Sequence, residues 1–267
     1  MAAAECVSFL TDYGLADGFV AACHGVLLRR APGVPVLDVT HLVPPGDVRR
    51  GAVVLAQTLP YLPRGVHLAV VDPGVGTERR GLVLEADRGT LVGPDNGLLP
   101  WAADALGGIR RAYDLRPGAL GVEAVSPTFH GRDLFAPAAG ELARGRPAAE
   151  LGSQVDPDTV VRLPHPVCRV TGGEVTAEVV TVDRFGNLQL AADRSAVERA
   201  GWVLGDPVRA GDVVARYGTT FGSVGPGEPV AYLDSAGLLS LAVRDGRADE
   251  LFGVRPGELV RLSAGGR

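Results

Sequence analysis

The chain has 267 residues, of which 46% are hydrophobic and 21% charged, so it is long enough for one large domain or two modest ones with a substantial core. Its formal net charge of −5 argues against nucleic acid as a partner, because proteins that bind nucleic acids usually carry a basic face. All 26 basic residues are arginine, and the absence of lysine excludes Schiff-base chemistry, a pyridoxal phosphate linkage and a P-loop.

The sequence also bears on location. No apolar run approaches the roughly 18 residues that a membrane span requires. The N-terminal segment lacks the basic and apolar regions of a signal peptide. The cysteines, Cys6, Cys23 and Cys168, form neither a C-x-x-C pair nor a disulfide framework, which predicts reduced thiols and a cytoplasmic location. The lack of a long apolar run predicts no membrane association.

The first 155 residues alternate apolar strands with amphipathic helices. Strands are predicted over Cys6–Leu10, Val36–Val39 and Val66–Val71, and helices over Gly18–Arg30 and Val48–Leu59, the second capped by Asp47. This alternation predicts right-handed crossovers between parallel strands. We therefore expect Asp12, the segment His41–Asp47 and Asp72 at the same carboxyl edge of the sheet, where such sheets bind ligands.

The loop after the third strand, Asp72 to Gly81, is dense in functional groups. It offers a carboxylate, two glycines, a hydroxyl and two guanidiniums, and Pro73 prevents a central strand from continuing. It is not a dinucleotide fingerprint, because Arg79 stands where the third glycine belongs. An ordinary surface turn is the simpler alternative. The similar loop Thr128–Asp133 later in the chain favours a functional site instead.

The remaining elements divide at a proline-rich stretch. Before it we predict a hairpin around Asp87–Gly89, a helix over Leu98–Leu106, a strand over Ile109–Tyr113 and a helix over Leu134–Arg144 capped by Asp133. Residues 156–166 are predicted to be a linker. After it come short strands and two short helices, Ser195–Ala200 and Ala248–Phe252. The predicted strands are Glu174–Val182, Leu188–Leu190, Val213–Tyr217, Val230–Leu233, Leu238–Val243 and Leu259–Leu262.

The predicted fold class is therefore α/β, in two domains. Residues 1–155 are expected to form an α/β domain with a mostly parallel sheet, and the short strands over residues 167–267 suit a small barrel or sandwich.

Several motifs, in this order along nearly the whole chain, resemble one family. They are Leu10–Gly14, Asp17–Gly18, Pro44–Val48, Val71–Thr77, Gly93–Gly97, Thr128–Asp133, Asp183–Asn187 and Ser235–Gly237. The family is the S-adenosyl-L-methionine hydroxide adenosyltransferases, relatives of the bacterial fluorinase and chlorinase. The resemblance implies conversion of S-adenosyl-L-methionine and water to adenosine and L-methionine, without a cofactor or metal. It also implies a two-domain subunit, with a three-layer α/β N-terminal domain that carries the catalytic loops and a β-barrel-like C-terminal domain that binds adenine and methionine. The subunits would form a homotrimer in which the substrate lies between the N-terminal domain of one subunit and the C-terminal domain of its neighbour.

The resemblance assigns catalysis to Asp72, Arg79 and His130. Arg79 would favour hydroxide, Asp72 would orient Arg79 and the water, and His130 would accept or relay the proton. Sequence alone leaves Arg80 open as the working guanidinium. Halogenating relatives carry tyrosines in place of Asp72 and His130, and a carboxylate beside a halide would repel it. Hydroxide is therefore the expected nucleophile.

Substrate contacts are implied in the same way. Asp12 would hold the ribose hydroxyls, Asp17 and Asp183 would face the methionine ammonium, and Ser235 its carboxylate. The adenine would be read by Asn187 and packed between Phe185 and Phe221, while Thr128 and Phe129 would line the pocket around C5′. Gly46 departs from the pattern, because some relatives carry a large aromatic residue there that contacts the substrate. How tightly this protein binds the methionine arm is therefore left open.

Simpler interpretations stay open at this stage. Asp12 and Asp17 suit helix caps, Asp183–Asn187 suits a β-turn, and Phe185 and Phe221 suit a core. His24, His67 and His165 receive no functional role, and His41 a structural one. Other functions also remain: a halide (chloride) adenosyltransferase, a non-catalytic sensor of S-adenosylmethionine or adenosine, or a metal-dependent hydrolase using Asp72, His130 and Asp133.

Overall fold

The computed structural model describes residues 4–122 and 124–264. The chain divides into two compact units, Met1–Leu163 and Pro164–Arg267. The division falls inside the stretch 156–166, and Val160 from this stretch is buried in the core of the N-terminal unit.

A seven-stranded sheet forms the centre of the N-terminal unit. The strands are β1 (Val7–Thr11), β2 (Val36–Thr40), β3 (Val66–Val70), β4 (Gly81–Ala86), β5 (Gly89–Pro94), β6 (Ile109–Leu115) and β7 (Gly152–Val155). Their order in the sheet is β2-β1-β3-β5-β4-β6-β7. Strands β1, β2, β3 and β5 pair in parallel, while β4 and β7 run against their neighbours. The ends of β1, β2 and β3 therefore meet at one edge, as predicted.

Two apolar clusters place helices on both faces of this sheet. Alternate residues of a strand point to opposite faces, and on β1 Phe9 belongs to one cluster and Leu10 to the other. The helices are α1 (Phe19–Arg30), α2 (Val48–Thr58), α3 (Pro100–Ala105), α4 (Ala136–Ala143) and α5 (Ala148–Leu151). The Phe9 cluster includes residues of α1 and α4, and the Leu10 cluster includes residues of α2 and α3. The predicted three-layer arrangement is confirmed.

Helix starts were predicted with mixed success. Asp47 caps α2, because its carboxylate accepts a hydrogen bond from the Arg50 N–H at 2.9 Å. Asp133 as a helix cap is wrong. A single π-helical turn, Gly131–Phe135, precedes α4, with His130 at its cap position and Asp133 inside it. The Asp133 carboxylate instead accepts from the Ser126 N–H at 2.9 Å and pairs with Arg132.

The C-terminal unit is a closed barrel. Its strands are β8 (Cys168–Thr171), β9 (Glu174–Val182), β10 (Leu188–Asp193), β11 (Pro207–Ala210), β12 (Val213–Tyr217), β13 (Pro229–Leu233), β14 (Leu238–Val243) and β15 (Leu259–Ala264), and its helices are α6 (Arg194–Ala200) and α7 (Ala248–Phe252). Seven strands form a ring in the order β10-β14-β13-β12-β11-β15-β9, which the pairing of β9 with β10 closes. β8 pairs with the other side of β9.

Short 3₁₀ turns complete the elements; they cover Leu59–Tyr61, Pro117–Leu120, Pro157–Thr159 and Phe221–Ser223. In the described ranges, none of the helices is both long and apolar enough to cross a membrane.

Candidate active site

The loop that follows β3 is held in a tight turn by hydrogen bonds among its own residues. The Val75 N–H donates to the Asp72 carbonyl, and the Thr77 hydroxyl donates to the Gly74 carbonyl at 2.7 Å. The side-chain amide of Asn96 donates to the Val71 carbonyl at 2.8 Å, which holds the end of the strand from the neighbouring β5 side. The strand itself ends at Val70, so Asp72 lies just beyond it with its side chain only 5% exposed.

Asp72 and Arg79 form a bidentate ion pair. The Arg79 Nε lies 3.0 Å from each oxygen of the Asp72 carboxylate, and its Nη2 contacts Oδ2. The guanidinium carbon also lies 5.1 Å from the centroid of the Phe135 ring, in a cation–π arrangement. The Arg79 side chain is 10% exposed, so both charges are held in place and largely shielded from water.

His130 completes this cluster. Its Nδ1 lies 2.7 Å from the Arg79 Nη2. A guanidinium can only donate, so Nδ1 accepts this hydrogen bond and the ring proton of the neutral imidazole lies on Nε2. Burial lowers the pKa of His130, and the positive charge of Arg79 lowers it further, against the opposing effects of Asp72 and Asp133. The imidazole is therefore neutral near pH 7, with Nε2–H available as a donor.

The neighbouring guanidinium is engaged elsewhere. The Nε of Arg80 donates to the Asp95 carboxylate at 2.8 Å, and its Nη atoms donate to the Thr159 hydroxyl and carbonyl. Arg79 therefore contacts Asp72 and His130, whereas Arg80 contacts Asp95 and Thr159. The geometry thus identifies Arg79 as the arginine of this cluster.

The loop carrying His130 packs tightly against two others. A Cβ added to Gly76, whose φ is +79°, would lie 2.6 Å from the Pro127 carbonyl oxygen, so the loops at 72–81 and 126–133 touch there. A Cβ on Gly131 would overlap the Tyr13 hydroxyl. Glycine at 131 thus lets the loop after β1 approach the π-helical turn that begins next to His130.

We expect Gly131→Ala to lower kcat roughly 10- to 100-fold, because the added methyl group must displace the partly buried Tyr13 or shift His130. We also expect it to destabilise the fold by about 1–3 kcal/mol. Steady-state kinetics and thermal unfolding check both effects. Gly118→Ala is the matched control, because its Cβ would meet nothing within 4 Å. Equal kinetics for the two variants would contradict the close approach.

Tyr13 is a member of this site that sequence reasoning did not single out. Its ring packs edge-on against Phe129 at 5.7 Å and Phe19 at 6.2 Å, between centroids, and burial raises its pKa far above the usual value. The neutral hydroxyl therefore persists at any working pH. The available signal was its place, directly after Asp12 at the end of a predicted strand.

Asp12 and Asp17 do not cap α1, whose cap position is Gly18 without a side-chain hydrogen bond. Asp12 accepts the Gly46 N–H on Oδ2 at 2.8 Å, while Asp17 is exposed in the loop before the helix. Gly46 has a φ of +74°, which favours glycine, so its backbone helps to hold Asp12. Carboxylate oxygens have two acceptor sites each, and the remaining ones suit a pair of hydroxyl groups.

Thr128 and Phe129 lie on the second loop. Phe129 packs against the ring of Phe19 at 5.4 Å as well as against Tyr13, so the end of the sheet carries a small aromatic wall. Thr128 is exposed, with its N–H 3.4 Å from the Ser126 hydroxyl.

In the C-terminal unit, Asp183 and Asn187 form one tight loop. Asp183 Oδ1 accepts the N–H groups of Phe185 and Asn187, at 2.8 and 2.9 Å, and Oδ2 accepts the Asn187 amide at 2.7 Å. This is the turn that the sequence allowed, and it presents Phe185 with 73% of its surface exposed. Phe185 is therefore not a core residue of this unit.

Phe221 and Ser235 occupy other loops of the same unit. Phe221 packs against the Tyr232 ring at 5.0 Å and remains 41% exposed. Ser235 is exposed in a turn organised by Asp234, which accepts from the Ala236 and Leu238 N–H groups and from the Ser240 hydroxyl. Asp234 was not recognised from the sequence; its position between β13 and β14, before Ser-Ala-Gly, was the available signal.

The set Asp72, His130 and Asp133 does not offer a shared group of metal ligands. The Nδ1 of His130 faces a guanidinium, and Asp133 is engaged with Arg132 and Ser126. Among the residues that the structure describes, the group of potential ligands that does converge is His24, Asp38 and His41, next to β1 and β2.

Comparison with known proteins identifies the family. The sequence model of the S-adenosyl-L-methionine hydroxide adenosyltransferase N-terminal domain matches residues 7–152, and that of its C-terminal domain matches residues 177–261. The chain belongs to the S-adenosyl-L-methionine hydroxide adenosyltransferase family. The resemblance stated from the motifs is thus confirmed.

Known proteins are similar to the chain over most of its length. A protein of Salinispora tropica named (R)-S-adenosyl-L-methionine hydrolase is 58% identical, covering 99% of this chain and 100% of the relative. An Actinoplanes fluorinase is 31% identical, covering 88% and 90%. The crystal structure of an uncharacterized conserved protein from Thermotoga maritima matches with a TM-score of 0.89 at 33% identity, covering 96% and 99% of the two chains. It supports the fold described above.

Proposed function

We propose that the protein hydrolyses S-adenosyl-L-methionine to adenosine and L-methionine, through attack of an activated water on C5′ of the ribose. The family membership and the name of the 58% identical hydrolase support this reaction. The observation that carries the mechanism is the contact of Arg79 with both Asp72 and His130 at the carboxyl edge of the sheet. A sensor that only binds its ligand would not need this arrangement of groups at one point.

Neutral water is a poor nucleophile, so the reaction needs it to gain hydroxide character as it attacks C5′. The oxygen–carbon bond forms as the carbon–sulfur bond breaks, so the sulfonium takes the bonding pair and leaves as the neutral thioether of methionine. The water loses one proton, which is released to solvent. Arg79 would stabilise the developing hydroxide, because a fixed cation in a site shielded from water acts strongly on nearby negative charge.

The described contacts refine the two other roles. The Asp72 carboxylate retains lone pairs beyond those used by Arg79, so it would orient the water and accept its proton first. A general base needs a ring nitrogen whose lone pair is free, but the Nδ1 lone pair of His130 already accepts a hydrogen bond from Arg79. His130 would therefore position the water or a ribose oxygen through Nε2–H. To relay a proton it would first have to exchange its contact with Arg79.

Substrate binding is proposed along the lines of the resemblance. Asp12 would hold the ribose, and Thr128, Phe129 and Tyr13 would border C5′. Asp17, Asp183 and Ser235 would hold the methionine arm, and Phe185, Asn187 and Phe221 the adenine. The exposed aromatic rings of Phe185 and Phe221 agree with such a role, since each would be covered by a ligand or a neighbouring subunit.

The assembly proposed is a homotrimer with the substrate at the subunit interface, and the reaction requires neither cofactor nor metal. A cytoplasmic location stays a prediction from the spacing of the cysteines.

Product analysis tests the function. Purified protein is incubated with S-adenosyl-L-methionine, with and without chloride, and the products are separated by chromatography. We expect adenosine and methionine in both cases, with unchanged rates after treatment with a chelator. A 5′-chloro-5′-deoxyadenosine product would instead identify a halide adenosyltransferase, and binding without turnover a sensor.

The name of the Salinispora relative adds a stereochemical question. Because L already specifies the amino-acid carbon, its (R) refers to the sulfonium, which bears three different carbon groups. Running the same assay with each separated sulfur epimer shows whether this protein has the same preference.

A further inference from the structure

Three potential metal ligands converge beside the first two strands. His24 lies on α1, Asp38 on β2, and His41 directly after β2. Asp38 Oδ1 lies 2.8 Å from the Nε2 of His24 and 3.0 Å from the Nε2 of His41. With one ligand atom from each residue, all three atoms lie within 4.8 Å of one another. This cluster is separate from the contacts among Asp72, Arg79 and His130.

His41 is the member that points to a bound cation. His41 is only 4% exposed. Its Nε2 lies 3.0 Å from Asp38 Oδ1, but this contact is not aligned as a hydrogen bond, and within the described ranges Nε2 has no other hydrogen-bond partner. Its Nδ1 lies 2.9 Å from the Thr11 hydroxyl. If Nδ1–H donates to Thr11, the Nε2 lone pair faces a carboxylate oxygen, which is unfavourable unless a cation lies between them.

We propose that His24, Asp38 and His41 bind a divalent transition-metal ion such as zinc. Two imidazole nitrogens and one carboxylate oxygen are ligands that suit zinc, iron, cobalt and nickel, whereas magnesium and calcium prefer oxygen alone. A tetrahedral zinc ion needs donors about 3.3 Å apart, a few tenths of an ångström more than the 2.8 and 3.0 Å that separate the Asp38 oxygen from the Nε2 atoms of His24 and His41.

The surroundings provide the support and access that a metal site needs. The Thr11 hydroxyl is a suitable outer partner for the His41 ring, and the Phe9 ring packs against both imidazoles. His24 and Asp38 are both partly exposed, which leaves a path for the ion and room for water as further ligands.

The ion would stabilise the fold and take no part in the hydrolytic chemistry. It would link α1, β2 and the turn after β2. The His41 carbonyl accepts the Gly14 N–H at 2.8 Å, so the same link reaches the loop that carries Asp12. Metal removal should therefore lower thermal stability and leave the reacting groups in place.

The test uses untagged protein freed of metal by a chelator and then titrated with Co²⁺, whose visible absorption reports imidazole ligation. We expect one ion per chain in the parent, and a Tm raised by roughly 5 °C at saturating metal. His24→Ala and Asp38→Asn, both at partly exposed positions, should lose the absorption band and the shift in Tm. His165→Ala controls for surface histidines.

Two results would overturn the proposal. In the first, the parent binds no more Co²⁺ than His24→Ala does, which would mean that the three side chains only contact one another and bind no metal. In the second, His130→Ala removes the absorption band and His24→Ala does not, which would place the ion at the candidate active site. Far-UV circular dichroism confirms beforehand that each variant is folded.

Discussion

Replacing Arg79 with glutamine is expected to lower kcat for S-adenosyl-L-methionine hydrolysis about 10³-fold, with little change in KM. The guanidinium is the cation proposed to stabilise the hydroxide, and it holds both Asp72 and His130. Glutamine removes this charge and leaves the Asp72 carboxylate, only 5% exposed, without its partner. That carboxylate would then repel the developing negative charge on the water.

Arg80→Gln is the matched control, since it removes the same group one residue away. Arg80 pairs with Asp95 and contacts Thr159, so its loss should lower thermal stability and leave kcat within about threefold of the parent. Kinetics are measured on variants shown to be folded by circular dichroism. A comparable loss of kcat in both variants would refute the assignment of Arg79.

Lowering the pH is expected to destabilise the N-terminal unit through His67. This residue is 1% exposed on β3 and hydrogen-bonds to the Ser8 hydroxyl at 2.9 Å. Burial lowers its pKa to about 4, whereas the unfolded chain has a value near 6.5. Above pH 6.5 both states are neutral. Between pH 6.5 and 4 the unfolded state binds the extra proton, so the free energy of unfolding falls, in total by about 3 kcal/mol.

His67→Asn isolates this contribution, because asparagine can keep a hydrogen bond to Ser8 but does not titrate. Urea unfolding is followed through Trp101 in a Trp202→Phe background, so that fluorescence reports the N-terminal unit. We expect the variant to be less stable than the parent at pH 8 and the difference to shrink as the pH falls to 4.5. A constant difference across this range would show that His67 titrates alike in both states.

The arrangement of the sheet edge could be predicted because it depends on periodicity alone. Alternating strands and helices require parallel neighbours, and the loops after β1, β2 and β3 then meet. Three four-residue strands, β7, β8 and β11, were missed because each is too short to show a clear alternation of apolar and polar residues. β8 and β11 also contain arginine, and β11 begins with proline.

Finer features of the site depended on contacts that no local pattern encodes. Five residues are too few to distinguish a π-helical turn from an α-helical one, so the turn at Gly131–Phe135 and the true partners of Asp133 were not foreseen. Arg79 and Arg80 likewise could not be told apart, because the sequence does not show which carboxylate each guanidinium contacts. Tyr13 was not recognised as a site residue because its hydroxyl packs against Gly131, which lies 118 positions further along the chain.

The close approach of Gly76 to the Pro127 carbonyl also limits how the protein can change over evolution. A side chain at position 76, or an insertion near Pro127, would push the two segments apart and separate Arg79 from His130. Altered nucleophile preference should therefore arise through paired replacements in both segments. Grafting either one alone from a halogenating relative should produce a folded but inactive chimera.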